Sequence, residues 1–359
     1  MWFPYSGVVF FAVCDTERVA WRSAIAAAMA MAGAACSSSP DAPVDAAAGA
    51  PDAAGAALAF ADGVDVSVAL AGPGTLAAGD ADGDGDADVL FGFGAKFSLL
   101  RNDGAGGFAA RDDVDVGDDV DVLDVALRGG DRIVAVKREF DSIVLAHPDV
   151  VYTADAIVRG LAVGDGWIAT HQETAIGIID GPVIELPGAG AFVGFAAGDV
   201  DGDGDIDLVT GGAAGELYVV EQTEAGTFAA AVARPALNPV TTWLFTGELD
   251  DEPGADIGIA GVDRVRVVTA GGPVDTFDGP AGAIVAGDLD GDGLDDLVGF
   301  RAGVPQVWRN DPDAPASFTL AAELDATAAS RAVIADVTGD DRPDVVVVTA
   351  SGLRVLAQQ

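Results

Sequence analysis

Internal repetition constrains this chain more than any other feature. Four stretches align without gaps: DADGDGDAD from Asp80, DVDGDGDID from Asp199, DLDGDGLDD from Asp288 and DVTGDDRPD from Asp336. A fifth, ELDDEPGAD from Glu248, keeps acids at the same offsets but has Pro253 where the others have Gly or Asp. Each of the four is preceded by a short small-apolar run, such as Leu76–Gly79 or Ile284–Gly287, and followed by another, such as Val89–Phe91 or Val345–Val348. Runs this short, rich in Val and bounded by Gly and Asp, read as strands. A unit repeated at this scale cannot bury its apolar face alone and must stack on its neighbours.

The starts are separated by 119, 49, 40 and 48 residues, so the first step holds almost three units of the others' size. Val122–Leu127, Arg132–Lys137, Ser142–His147 and Val150–Ala154 read as one four-strand unit without an acidic loop. Ile157–Val163, Trp167–His171, Thr174–Asp180 and Pro182–Leu186 read as another. That makes seven units over residues 57–359, about 43 residues each, within the period of four-stranded propeller blades. Two outer strands are expected after each acidic loop, at Phe97–Asn102 and Gly107–Val114 after the first, and at Glu216–Glu221 and Thr227–Ala233 after the second. The last unit ends after three strands, at Leu353–Ala357, while a strand near Ala57–Val68 stands alone at the front. Its joining the last unit predicts an all-β, seven-bladed propeller closed between its termini, which removes a long exposed edge.

The loop pattern, D-x-D-G-D-G-x-x-D, carries the chemistry. Carboxylates at positions 1, 3 and 5 of a tight loop converge on one point, and glycines at 4 and 6 allow the positive φ and the sharp turn. A main-chain carbonyl at position 7 and a two-oxygen Asp at position 9 complete six or seven hard oxygens, which suits Ca²⁺ better than Mg²⁺. An EF-hand shares the first half of the pattern but needs Glu at position 12; Phe91, Thr210, Gly299 and Val347 stand there. An acidic turn without an ion is the alternative, and it is disfavoured because the clustered carboxylates repel one another.

With GD before the loops and an aliphatic pair after, the chain resembles the FG-GAP/VCBS-type repeats of integrin-α-like β-propellers. Arg101-Asn102-Asp103-Gly104-Ala105-Gly106-Gly107-Phe108, and Trp308-Arg309-Asn310-Asp311 followed by Phe318, are similar to that family's hairpin between outer strands. The resemblance implies calcium in the hairpin between the first two strands of a blade. Its ligands would be Asp80, Asp82, Asp84 and Asp88; Asp199, Asp201, Asp203 and Asp207; and Asp288, Asp290, Asp292 and Asp296, with the carbonyls of Asp86, Asp205 and Leu294 added. Asp336, Thr338, Asp340 and Asp344 make a fourth candidate set, in which Thr replaces one carboxylate.

The remaining sequence bounds the setting. Arg18 and Arg22, an apolar stretch to Ala32, and Gly33-Ala34-Ala35-Cys36 resemble a bacterial lipoprotein leader, with Cys36 as the lipid-carrying first residue; an ordinary signal peptide is the alternative. Residues 1–35 are then the leader, 36–56 an Ala/Pro/Asp/Ser tether, and 57–359 the propeller. The address expected is the cell envelope, at the outer membrane or cell surface, with membrane contact only through the lipid. A net charge of −40 disfavours nucleic acid as a partner. His147 and His171 are expected to be structural, and Trp167, Trp243 and Trp308 to pack between blades, with a sugar site as their alternative role. No nucleophile elbow, P-loop or zinc pattern occurs. The reading is a monomeric calcium-binding module for a protein or glycan; a polysaccharide-degrading enzyme on the same fold and a structural spacer are the alternatives.

Overall fold

The computed structural model describes residues 58–66, 74–137, 141–187, 192–212, 215–234, 243–261, 264–269 and 272–359. The leader, Cys36 and the whole of the tether lie outside them. The described residues form seven four-stranded antiparallel sheets and one two-stranded hairpin. The sheets are propeller blades, because the first strands contact one another in a closed ring. In order these strands are Thr75–Gly79, Asp121–Arg128, Gly160–Gly164, Phe192–Gly198, Trp243–Gly247, Ala281–Gly287 and Arg331–Ala335, the last returning to the first. The seven are numbered blades 1 to 7 in that order.

The ring closes as the strand count requires. Val64–Val66 pairs antiparallel with Gly352–Leu356, the third strand of blade 7, and supplies that blade's missing outer strand. Ala61 N donates to Ala357 O at 2.7 Å, and Gln359 N to Ala59 O at 2.8 Å. Arg354 clasps the seam, with Nη1 2.8 Å from Asp65 and Nη2 2.5 Å from Asp325. Of the expected strand Ala57–Val68, the described residues pair regularly at Val64–Val66 and by an isolated bridge from Phe60 to Gln358, while Ala57, Ser67 and Val68 lie outside the described residues.

Apolar burial follows the repeat. The second strands are buried along most of their length, as in Asp88–Phe93, Asp207–Gly212 and Asp344–Thr349, because they lie mid-sheet with blades on either side. Outer strands alternate or are exposed, as in Ala110–Asp115 and Asp149–Ala154, which suits a sheet edge facing water. Trp167, Trp243 and Trp308 are buried as expected, with Trp243 Nε1 donating to Ile284 O of blade 6 at 2.8 Å.

Blade 4 differs from expectation. Its third strand is Leu217–Val220 and its outer strand is Val232–Arg234, while Gln222–Glu224 and Thr227–Phe228 pair as a separate small hairpin. Thr227–Ala233 is therefore not one strand. The physical reason is Phe228, whose ring meets Trp167 of blade 3 edge-on at 5.1 Å and draws the hairpin toward that neighbour.

Candidate metal centres

Each acidic loop joins the first and second strands of its blade, in one common register. Position 9 pairs with the residue just before position 1: Gly79 with Asp88, Gly198 with Asp207, Gly247 with Asp256, Gly287 with Asp296 and Ala335 with Asp344. In blades 4 and 5 the glycine there is dictated by packing, whereas a Cβ on Gly79 would make only ordinary contact and blade 7 carries Ala335. A Cβ on Gly247 would come within 2.8 Å of the Ala286 Cβ in the next blade.

Position 1 builds the turn. Asp80 accepts from Gly83 N and Gly85 N, Asp199 from Gly202 N and Gly204 N, and Asp288 from Gly291 N and Gly293 N. Asp336 does the same with Gly339 N and Asp341 N. At position 6 the glycines have φ of 96°, 95° and 95°, and Asp341 takes φ 63° in the fourth loop. That left-handed conformation is costly for most L-residues and tolerated by Asp.

Position 9 fastens the loop to the blade. Asp88 accepts from Ala81 N and Asn102 N, Asp207 from Val200 N and Gln222 N, Asp296 from Leu289 N and Asn310 N, and Asp344 from Val337 N and Gln358 N. One buried carboxylate thus ties the start of the loop to the end of the third strand. Burial, reinforced by neighbouring acids, pushes Asp207 up to about 6 and Asp296 up to about 7. The Asp88 and Asp344 carboxyls are also raised, chiefly by burial.

Three of the loops gather ligand oxygens. Oxygens of Asp80, Asp82 and Asp88 lie within 4.8 Å of one another, as do those of Asp199, Asp201 and Asp203, and of Asp288, Asp290 and Asp292. These are the three loops with the full D-x-D-G-D-G spacing. Asp84, Asp207 and Asp296 stand outside these groups of three, and Asp86, Asp205 and Leu294 donate their backbone N–H to the position-5 carboxylate. Among the described residues the Asp336, Thr338, Asp340 and Asp344 set forms no such group, nor does the Glu248 loop.

The blade 6 cluster shows the strongest demand for a cation. The Asp290 side chain is fully buried and that of Asp292 is 6% exposed, yet Asp292 Oδ2 has no hydrogen-bond partner. A buried carboxylate oxygen left unsatisfied is costly, and a bound cation removes that cost. The donor set is entirely hard oxygen, as a calcium site requires.

The loops also touch one another. Ala255 N of blade 5 donates to Asp199 O of blade 4, and Asp295 N of blade 6 to Glu248 O of blade 5. Amide side chains add a second set: Asn310 Nδ2 to Leu249 O, Gln358 Nε2 to Leu289 O and Asn102 Nδ2 to Val337 O, each reaching the preceding blade. Blades 4, 5, 6, 7 and 1 therefore share one bonded arc of loops. Blades 2 and 3 turn instead at Arg128–Asp131 and Gly164–Trp167.

In place of a loop, those blades use a residue that the sequence reading overlooked. Asp124, in the first strand of blade 2, is fully buried and accepts from Leu161 N of blade 3 at 2.7 Å and Thr75 Oγ1 of blade 1 at 3.3 Å. Burial holds its carboxyl well above the usual range. The strand Asp121–Arg128 carries two acids, the exposed Asp121 and the buried Asp124, and no local sequence signal separates them.

The comparisons agree with this architecture. The FG-GAP-like repeat family matches residues 273–347, which run from the outer strand of blade 5 through blade 6 into the second strand of blade 7 and include the loops at Asp288 and Asp336. No curated protein matches the sequence. Among solved structures, a chain of a mitotic checkpoint complex is 12% identical with a TM-score of 0.60, covering 87% of this chain and 98% of that one. Virginiamycin B lyase from Staphylococcus aureus is 14% identical with a TM-score of 0.57, covering 83% of this chain and 99% of that one. BBS1N in complex with ARL6DN is 12% identical with a TM-score of 0.59, covering 84% and 96%. Identities this low speak for the fold alone. Seven blades and the repeated loop between first and second strands make this chain a seven-bladed β-propeller, and residues 273–347 of it match the FG-GAP-like repeat.

Proposed function

We propose that the chain is a calcium-stiffened binding module, held at the cell envelope through Cys36, that presents its propeller to a protein or glycan. The observation that carries the calcium reading is the blade 6 cluster, where a buried Asp292 oxygen lacks any hydrogen-bond partner beside two further carboxylates. Asp80, Asp82 and Asp88, Asp199, Asp201 and Asp203, and Asp288, Asp290 and Asp292 would hold the ions, with Asp84, Asp207 and Asp296 nearby to complete the shells. Calcium would supply fixed positive charge to loops that otherwise repel themselves, and so stiffen the bonded arc from blade 4 to blade 1. Calcium at about 100 times its dissociation constant adds roughly 2.7 kcal/mol per site.

Binding to a macromolecule is supported by the family match and by the ring itself, which gives a rigid frame for exposed loops. The acidic surface favours partners other than nucleic acid. The test is a glycan and surface-protein array probed with calcium and with chelator. A calcium-dependent ligand supports the reading, and glycan turnover abolished by single Asp changes outside the loops would replace it with the enzyme. Release of the protein from membranes by Cys36→Ala tests the anchor.

A further inference from the structure

The residue just before the amide that bonds the position-9 Asp, near the end of the third strand, differs between blades, and its charge bears on the calcium reading, on which the following rests. In blade 6 it is Arg309, in blade 1 Arg101 and in blade 4 Glu221. The alignment is fixed by structure, because the next residue along, Asn310, Asn102 or Gln222, donates its backbone N–H to the position-9 Asp of its own loop.

Arg309 enters the blade 6 cluster. Its Nε lies 2.5 Å from Asp290 Oδ2 and its Nη2 3.7 Å from Asp292 Oδ2. The guanidinium thus spans two of the three clustered carboxylates but pairs closely with only one. Asp292 Oδ2 and Arg309 Nη2 are both buried without a hydrogen-bond partner, although their charges are opposite and adjacent. A smaller divalent cation among the three carboxylates would satisfy Asp292 better than this side chain does.

Arg101 reaches its loop less closely. Its Nε is 3.5 Å from Asp82 Oδ2, while its Nη2 is held by Asp112 at 2.5 Å. In blade 4 the equivalent position adds a negative charge, and Glu221 is only loosely paired, 3.8 Å from Arg234.

We propose that Arg309 is an internal counter-ion that competes with calcium for Asp290 and Asp292, so that blade 6 is the weakest of the three ion loops and blade 4, with Glu221 at the equivalent register position, the tightest. Blade 1 falls between them, because Asp112 draws Arg101 aside. A unit charge a few ångströms from a divalent cation in a partly exposed site alters affinity by roughly tenfold.

The experiment is calorimetric calcium titration of the full chain as wild type, Arg309→Gln, Arg309→Lys and Glu221→Arg, with folding of each checked by circular dichroism. Arg309→Gln is expected to tighten the weakest site by about tenfold and leave the other two unchanged. Arg309→Lys, which keeps the charge, is expected to leave that site weak. Glu221→Arg is expected to weaken the tightest site by a similar factor. Three unchanged affinities in Arg309→Gln, or a weakened site, would overturn the proposal while leaving calcium binding intact. Absence of chelator-reversible calcium binding in the wild type would instead overturn the calcium reading itself, and this proposal with it.

Discussion

Asn102 Nδ2 donates to Val337 O at 2.8 Å, across 235 residues of sequence. The bond joins the third strand of blade 1 to the loop of blade 7, so the first and last acidic loops of the chain are neighbours in the ring. The same amide-to-carbonyl bond recurs from Asn310 to Leu249 and from Gln358 to Leu289. Asn102→Ala removes it and leaves Val337 O without that partner, while the Asn102 N–H can still reach Asp88. The expected cost is about 1–3 kcal/mol, read as a lowered urea midpoint with an unchanged slope.

The loop carboxylates give the ion-free chain an unusual pH dependence. Burial and neighbouring acids raise Asp207 to about 6 and Asp256 and Asp296 to about 7, against 3.8 for an ordinary Asp. Between those values the folded chain keeps protons that the unfolded chain has released. Stability in chelator should therefore fall as pH rises from about 4 to about 7. Calcium, which favours the ionised carboxylates of blades 4 and 6, should flatten that fall, and Asp256→Asn should remove a further part of it, the raised Asp124 and Asp344 keeping the rest. Melting temperatures across this range, with calcium and with chelator, check it.

His171 carries the opposite sign. It is fully buried, its Nε2 lies 3.0 Å from Thr210 Oγ1 of blade 4, and its ring stacks on Phe195 at 5.1 Å. Burial, helped by Arg159, lowers it from 6.5 to about 3. The unfolded chain takes up that proton first, so the stability it supports is present above pH 6.5 and lost as pH falls toward 3. With calcium saturating, His171→Gln should lose less stability than wild type between pH 6.5 and 4. Parallel melts of the two proteins decide it.

Asp124 is the counterpart in the loop-free part of the ring. It bonds blade 1 through Thr75 and blade 3 through Leu161. Asp124→Leu, which removes every acceptor, should cost about 2–4 kcal/mol and should do so equally with calcium and with chelator. A calcium-dependent cost would show that the two halves of the ring are energetically coupled.

The fold was legible because each blade repeats its strands between glycines and acids, and strand position follows from such short Val-rich runs. The ring closure was legible from the count alone, with one strand too many at the front and one too few at the end. Blade 4 departs from expectation because Thr227–Ala233 has no internal Gly, Pro or Asp to mark a break, while its path is decided by the contact of Phe228 with Trp167 of another blade. Position 1, 3 and 5 acids were legible from spacing. Asp124 was not, since nothing local tells a buried acid from a solvated one. Nor was the approach of Arg309 to Asp290, which depends on strand register rather than on sequence distance.

The central claim is that the acidic loops are calcium sites and that the ions stiffen the ring. Thermal unfolding of the full chain in a series of free-calcium concentrations, each reversed by chelator, tests it most directly. The account predicts a midpoint that climbs steadily from about 10⁻⁴ M calcium upward and a climb reduced by Asp201→Asn or Asp290→Asn. A midpoint unmoved by millimolar calcium, in a protein that is folded in chelator, would contradict it.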